Sequence, residues 1–270
     1  MVLRSNWLLV VRPRRPCSVL LLDDQKRKFR AEVAFKTPVR AIRAKNDKVA
    51  VVLSTSIQVL GLPSLQRIAL LRTPQTPRPL CALAITPAVQ TQFIAAPAHR
   101  QGSLQLWDLS RVVRGAQSSS PAVMACHKGA LVCMSLSNSG ARLVTASDRG
   151  TLLRVWDTAT KSLLHDLRRG ADYADIYCIN FNASASQLCC VSDKGTLHVW
   201  NISRSSAVHL ATAQAPPDTR ALCGFQNDTT TVVICSDGTF HKFTYSVEGT
   251  CHRSDFEYFL QVGDDDDFIQ

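Results

Sequence analysis

Hydrophobic and polar positions alternate along this chain in short runs that open on glycine turns. Gly102-Ser103-Leu104-Gln105-Leu106-Trp107-Asp108 sets the pattern: a turn glycine, an alternating strand, then an aromatic closing position. It recurs as Gly150-Thr151-Leu152-Leu153-Arg154-Val155-Trp156-Asp157, as Gly195-Thr196-Leu197-His198-Val199-Trp200-Asn201 and as Gly238-Thr239-Phe240-His241-Lys242-Phe243, with weaker echoes at 18–23 and 56–60. The intervals fall near the roughly 40–45 residues of a propeller blade. Ahead of two strong copies lie further strand pairs, Leu131–Leu136 with 141–147, and Ile176–Phe181 with Gln187–Ser192. Small sheets in this order bury both faces only against their neighbours. The pattern therefore predicts an all-β, WD40-type β-propeller with about six blades' worth of strands. Residues 1–263 read as one such domain and 264–270, with Asp264-Asp265-Asp266-Asp267, as an acidic disordered tail. Two long connections, 110–121 with its serine run and 204–220 with Pro216-Pro217, lack helical periodicity and read as linkers between blades.

Composition narrows the class. A chain of 270 residues with 46% hydrophobic content can bury a large core. No apolar run reaches the roughly 18 residues of a membrane-spanning helix. The apolar stretch 7–11 is followed by Arg12, Arg14 and Arg15 without a small-residue cleavage site, so it reads as a strand and not as a signal. Ten cysteines sit inside apolar strand patterns (Cys133, Cys178, Cys189, Cys190, Cys223 and Cys235 among them) and none forms a CxxC pair, which points to free buried thiols in the cytosol. The formal charge of +10 favours polyanionic partners, and nucleic acid, an acidic membrane face and acidic protein segments all satisfy it. Lys26-Arg27-Lys28 with Arg30, and Arg12, Arg14 and Arg15, are local concentrations that a solvated surface also explains. Aromatic interleaving and a recognised module for nucleic acid are both lacking, so nucleic acid is not the expected partner. With no nucleophile elbow, Walker loop, HExxH or spaced metal ligands, the sequence predicts no catalytic residue, no metal and no cofactor.

The candidate chemistry is Leu167-Arg168-Arg169-Gly170, placed between a strand ending Val155-Trp156-Asp157 and another opening at Ile176-Tyr177-Cys178. Successive side chains of an extended segment point to opposite sides, so adjacent arginines can serve two anion sites. A guanidinium offers a rigid fork of donors to a phosphomonoester. Two weak sites on one rim gain by avidity.

These residues, together with Ser192-Asp193-Lys194-Gly195-Thr196-Leu197-His198-Val199, 36–43 and 235–242, resemble the PROPPINs, WD-repeat proteins that bind phosphoinositides and act in autophagy. The match is closest to the branch with an LRRG motif and an acidic tail. The resemblance implies a seven-bladed propeller without enzymatic activity and two headgroup sites. The first would use His127, Ser147, Thr151, Arg154 and Arg168; the second would use Arg169 with Ser192, Lys194, Thr196 and His198. It also implies a peripheral effector that reads phosphatidylinositol 3-phosphate and 3,5-bisphosphate, resides in the cytosol and at the phagophore assembly site or endosomal or vacuolar membranes, and recruits autophagy proteins such as a bridge-like lipid-transfer protein. A WD-repeat interaction scaffold without lipid affinity is the alternative. Taken alone, His198 and His241 alternate with apolar residues and fit solvent-facing blade positions equally well, and Thr151 and Thr196 fit plain turn hydroxyls.

Two departures from the family pattern stand out. The first blade and the start of the second have no counterpart, which leaves a truncated gene model, a smaller closed ring or an open edge as readings. Those early blades are the ones through which family members recruit the lipid-transfer protein. The connection that is long and membrane-inserting in the family is reduced to Ile202-Ser203-Arg204-Ser205-Ser206 before Ala207, too short for an amphipathic element. Membrane attachment is then expected to lean on electrostatics and to be salt-sensitive.

Overall fold

The structure is a computed structural model that describes residues 6–85, 92–111, 121–203, 205–246 and 248–259. The acidic tail, the serine run 118–120 and Arg204 lie outside the described residues. The described residues form one three-stranded and five four-stranded antiparallel sheets, each an up-and-down meander of consecutive strands. The three-stranded sheet holds β1 (Trp7–Arg12), β2 (Arg15–Asp23) and β3 (Lys28–Ala34). The next holds β4 (Ala41–Lys45), β5 (Lys48–Val52), β6 (Ser56–Gly61) and β7 (Arg67–Arg72). β8 (Ala82–Ala84), β9 (Phe93–Pro97), β10 (Ser103–Asp108) and β11 (Ala122–Ala125) follow. Then come β12 (Leu131–Leu136), β13 (Arg142–Ser147), β14 (Leu152–Asp157) and β15 (Leu163–Arg168). The fifth sheet is β16 (Ile176–Phe181), β17 (Gln187–Ser192), β18 (Thr196–Asn201) and β19 (Val208–Gln214). The last is β20 (Ala221–Asn227), β21 (Thr230–Cys235), β22 (Thr239–Tyr245) and β23 (Cys251–Tyr258).

The fourth strand β15 runs through Leu167 and Arg168, so the arginine pair straddles a strand end. One reading of the connections changes. The stretch 204–220 contains β19. Both strands are outer ones with only partial cover, and half or more of their residues are exposed. Their weak alternation in the sequence follows from that.

By contacts the chain divides into two compact units, residues 1–148 with 154–164, and residues 149–153 with 165–270. In the first, apolar clusters lie between successive sheets: Val19, Leu21, Val49 and Leu60; Ile57, Leu71, Ile94 and Trp107; Leu104, Met134, Leu143 and Trp156. In the second, Leu197 and Val199 of β18 pack with Cys223, Val233 and Phe243 of the last sheet. All ten cysteines are free and seven of them are buried, where the thiol serves as a small apolar filler.

The repeated phrase has a backbone explanation. Gly102, Gly150, Gly195 and Gly238 all take positive φ, between +65° and +86°. A Cβ at Gly102 would sit 1.9 Å from the His127 carbonyl oxygen, at Gly150 1.8 Å from that of Ala174, and at Gly195 2.4 Å from that of Ala215. The chain leaving each sheet, or entering the next, crosses directly over the turn, and only glycine leaves it room. At the other end of the third strand, Asp108, Asp157 and Asn201 turn the chain by accepting from Ser110, Thr160 and Ser203.

In the first unit Thr145 ties two aromatic rings together. Its hydroxyl accepts the Trp156 indole N–H at 3.0 Å and lies 2.9 Å from His127 Nε2. Thr145→Val leaves a buried indole donor without its acceptor and is expected to cost roughly 1–3 kcal/mol. Denaturant unfolding should show that loss, with Thr145→Ser near wild type.

Candidate functional site

The motif arginines occupy different environments. Arg168, the last residue of β15, is exposed, and among the described residues its guanidinium has no protein partner. Arg169 is half-buried. Its amide donates to Thr151 O at 2.9 Å, its Nε to Gly150 O at 2.7 Å and its Nη2 to Asp172 O at 2.6 Å. No carboxylate pairs with it in these contacts, so its positive charge is held in place without being neutralised.

That anchoring differs from its counterparts. In three repeats the carbonyl of the turn glycine accepts a backbone amide from the chain just past the fourth strand: Cys126 and His127 on Gly102, Ala215 on Gly195, Phe259 on Gly238. In the motif repeat the Arg169 side chain takes that acceptor. Gly170 has ordinary φ, and a Cβ there would meet nothing within 4 Å. The fold does not require that glycine. Its effect is to leave the backbone beside Arg169 open to approach.

The residues expected to join Arg169 all belong to the second unit. Ser192 ends β17 and Thr196 opens β18, so they flank the tight turn closed by the Gly195 amide on Ser192 O at 3.0 Å. Both hydroxyls are buried and have no hydrogen-bond partner among the described residues. Leaving a buried hydroxyl unpaired costs about 1–3 kcal/mol, so both hydroxyls can donate to an acceptor that reaches the turn. His198 shares a strand face with Thr196, two residues on. Its Nδ1 lies 3.3 Å from His209 Nε2, Thr212 Oγ1 is within 3.5 Å of both rings, and Trp200 stacks on it at 5.5 Å. Burial, then the neighbouring His209, then the charge of Arg169 push its pKa down to about 4. It is a neutral hydrogen-bonding group at neutral pH, half-buried on the strand face its alternation left open. Lys194 is exposed and pairs with Asp193 at 3.3 Å.

The residues expected at the first site divide between the units. In the first unit His127 and Arg154 line an open pocket of about 540 Å³ together with Arg100, Gln101, Ser103 and Lys128. Arg154 Nη1 donates to Cys126 O at 2.6 Å. Ser147, buried at the end of β13, does not line this pocket, and Thr151 and Arg168 belong to the second unit. His241, the other histidine with an open reading, is 2% exposed and bonds Thr239 Oγ1 at 3.0 Å, which makes it a core residue.

Sequence reasoning missed Arg100, Lys128, His209 and Thr212. Arg100 carried a partial signal: a basic residue stands one or two positions before the turn glycine in three repeats, as Arg100, Arg149 and Lys194. His209 sits on the weakly patterned outer strand β19, and only the register that sets it opposite Trp200 brings it to His198.

A profile of the PROPPIN family matches residues 2–225. The chain belongs to the PROPPIN family. It is 27% identical to "Autophagy-related protein 18e" of Arabidopsis thaliana, covering 92% of this chain and 70% of the relative. To "SVP1-like protein 2" of Pichia angusta it is 33% identical over 75% of this chain and 57% of the relative, so it spans little more than half of that protein. Among solved structures, Kluyveromyces lactis Hsv2 superposes with a TM-score of 0.80 at 16% identity, over 96% of this chain and 85% of that one. A complex of KlAtg21 with the coiled coil of AgAtg16 matches at 0.80 and 18% identity, over 96% and 84%. These likenesses fix the fold class of this PROPPIN as a β-propeller, in about six blades' worth of sheets.

The depressed His198 pKa sets a pH dependence. In the unfolded chain the imidazole takes up its proton near 6.5, in the folded chain only near 4. The unfolded state therefore binds more protons in that window, and stability is expected to fall as pH drops from about 6.5 towards 4. His198→Gln should flatten this part of the profile in unfolding midpoints measured across it.

Proposed function

We propose that this PROPPIN is a non-enzymatic peripheral membrane effector that binds 3-phosphorylated phosphoinositides, phosphatidylinositol 3-phosphate and 3,5-bisphosphate, and recruits machinery for autophagosome assembly. The observation that carries the reading is the pair of unpartnered buried hydroxyls, Ser192 and Thr196, in the unit that holds Arg169. Two hydroxyl donors and an un-neutralised guanidinium are what a phosphomonoester with its several acceptor oxygens requires. The neutral His198 adds a hydrogen bond without charge, so Arg169 carries the electrostatic attraction. His127 and Arg154, in a pocket that Arg100 and Lys128 make more basic, support a first headgroup position in the first unit.

Family membership supports the autophagy role, as do relatives named autophagy-related proteins. A structural neighbour bound to a coiled coil supports recruitment of a protein partner. The protein would work from the cytosol at the phagophore assembly site or at endosomal or vacuolar membranes. No helix among the described residues is long and apolar enough to cross a membrane, and the β18–β19 connection is confined to residues 202–207, so attachment would rest chiefly on charge.

Vesicles carrying phosphatidylinositol 3-phosphate should float the wild-type protein, the more weakly the higher the salt. Arg168→Ala/Arg169→Ala should abolish flotation, and Ser192→Ala/Thr196→Val should weaken it roughly tenfold or more. Because Arg169 also holds backbone carbonyls, Arg168→Ala and the hydroxyl variants carry the decision. Flotation of all of them at wild-type levels would refute the site.

A further inference from the structure

Tyr173 lies three residues beyond Gly170 and is 63% exposed. Of the exposed large apolar side chains among the described residues, all but Tyr173 and Phe259 lie on strands. Tyr173 is exposed from a loop that is tied down on both sides of it. The carbonyl of Asp172 accepts the Arg169 guanidinium at 2.6 Å. Ala174 is fully buried, its amide on Arg149 O at 3.3 Å, and the Asp175 amide donates to Asp193 Oδ1 at 2.9 Å. The ring is thus held out from a fixed backbone, one residue from the carbonyl that Arg169 grips.

A phenol ring combines an apolar body with a polar tip, the composition suited to the boundary between headgroups and acyl chains. We propose that Tyr173 is the interfacial anchor of the second headgroup site. Its ring enters the headgroup–glycerol layer of the bilayer whose phosphoinositide is held by Arg169, Ser192 and Thr196. This inference rests on the headgroup reading above and adds to it the membrane contact. A lipid phosphate docked on Arg169 brings the bilayer to the ring, and because the loop is already ordered, insertion costs little conformational entropy. A free headgroup has no such layer to offer, and that separates the two contributions.

The test measures two affinities for Tyr173→Ser and Tyr173→Trp in the full chain. One is for soluble inositol 1,3-bisphosphate, by calorimetry; the other is for phosphatidylcholine vesicles containing phosphatidylinositol 3-phosphate, by flotation. Tyr173→Ser should bind the soluble headgroup as wild type does and vesicles roughly fivefold to tenfold more weakly, while Tyr173→Trp retains or tightens vesicle binding. Wild-type vesicle binding by Tyr173→Ser would overturn the proposal and leave the headgroup site standing, the exposed ring then being free for a protein partner. A parallel loss of soluble headgroup affinity would also overturn it, since the ring would then act on the site and not on the bilayer. Failure of the wild-type protein to bind either probe would remove the headgroup reading and this inference with it.

Discussion

The constraint on which the rest depends is the crossing at the turn glycine. A left-handed turn places the chain so close to the passing backbone that no side chain fits, and its carbonyl then receives a donor from the segment leaving the sheet. In three repeats the donor is a backbone amide. In the fourth it is the Arg169 guanidinium, bonded to Gly150 O. A side chain in that role leaves N–H groups to spare: a guanidinium carries five, and two bonds to carbonyls do not exhaust them. The same substitution that stitches the sheet exit therefore presents a fixed, un-neutralised cation at the rim.

The surroundings of that cation follow from strand geometry. Period-two alternation puts Leu197 and Val199 into the core and Thr196 and His198 on the opposite face. Ser192 is buried and Thr196 half-buried at the turn they flank, and their hydroxyls are withdrawn from water without a partner among the described residues. Such unsatisfied donors are destabilising in the folded protein and would be relieved by an acceptor that enters from outside. Trp200, His209 and Thr212 wall in His198 and keep it neutral, so charge is concentrated on the arginine and hydrogen bonding is spread over its neighbours.

Much of this was legible from residue order, for stated reasons. The glycine phrase repeats because the crossing repeats, and the second and third strands announce themselves because they are covered on both faces. The outer strands β15 and β19 were poorly legible because solvent on one side relaxes the alternation, and with them went the exact place of the arginine pair and the presence of His209. His127 shows another limit. One of its ring nitrogens is engaged by Thr145, 18 residues away, a pairing set by sheet register that spacing alone does not reveal. The charge groups of the first sheet were legible as clusters but not as pairs: Arg30 is matched by Asp23 at 2.9 Å, and Arg12 and Arg15 both face Glu32 at 3.9 Å.

The two motif arginines are accordingly not equivalent, although they are adjacent and identical in type. Arg169 is preorganised by two backbone acceptors, so little rotamer entropy remains to be lost when an anion binds. Arg168 has no such support and is exposed, so any ion pair it makes is screened and weakened by the freedom of its long side chain. In the proposed headgroup reading, a phosphate at Arg169 would therefore gain in specificity and one at Arg168 chiefly in charge. On a surface with both, Arg168 would set the salt dependence of attachment and Arg169 its selectivity.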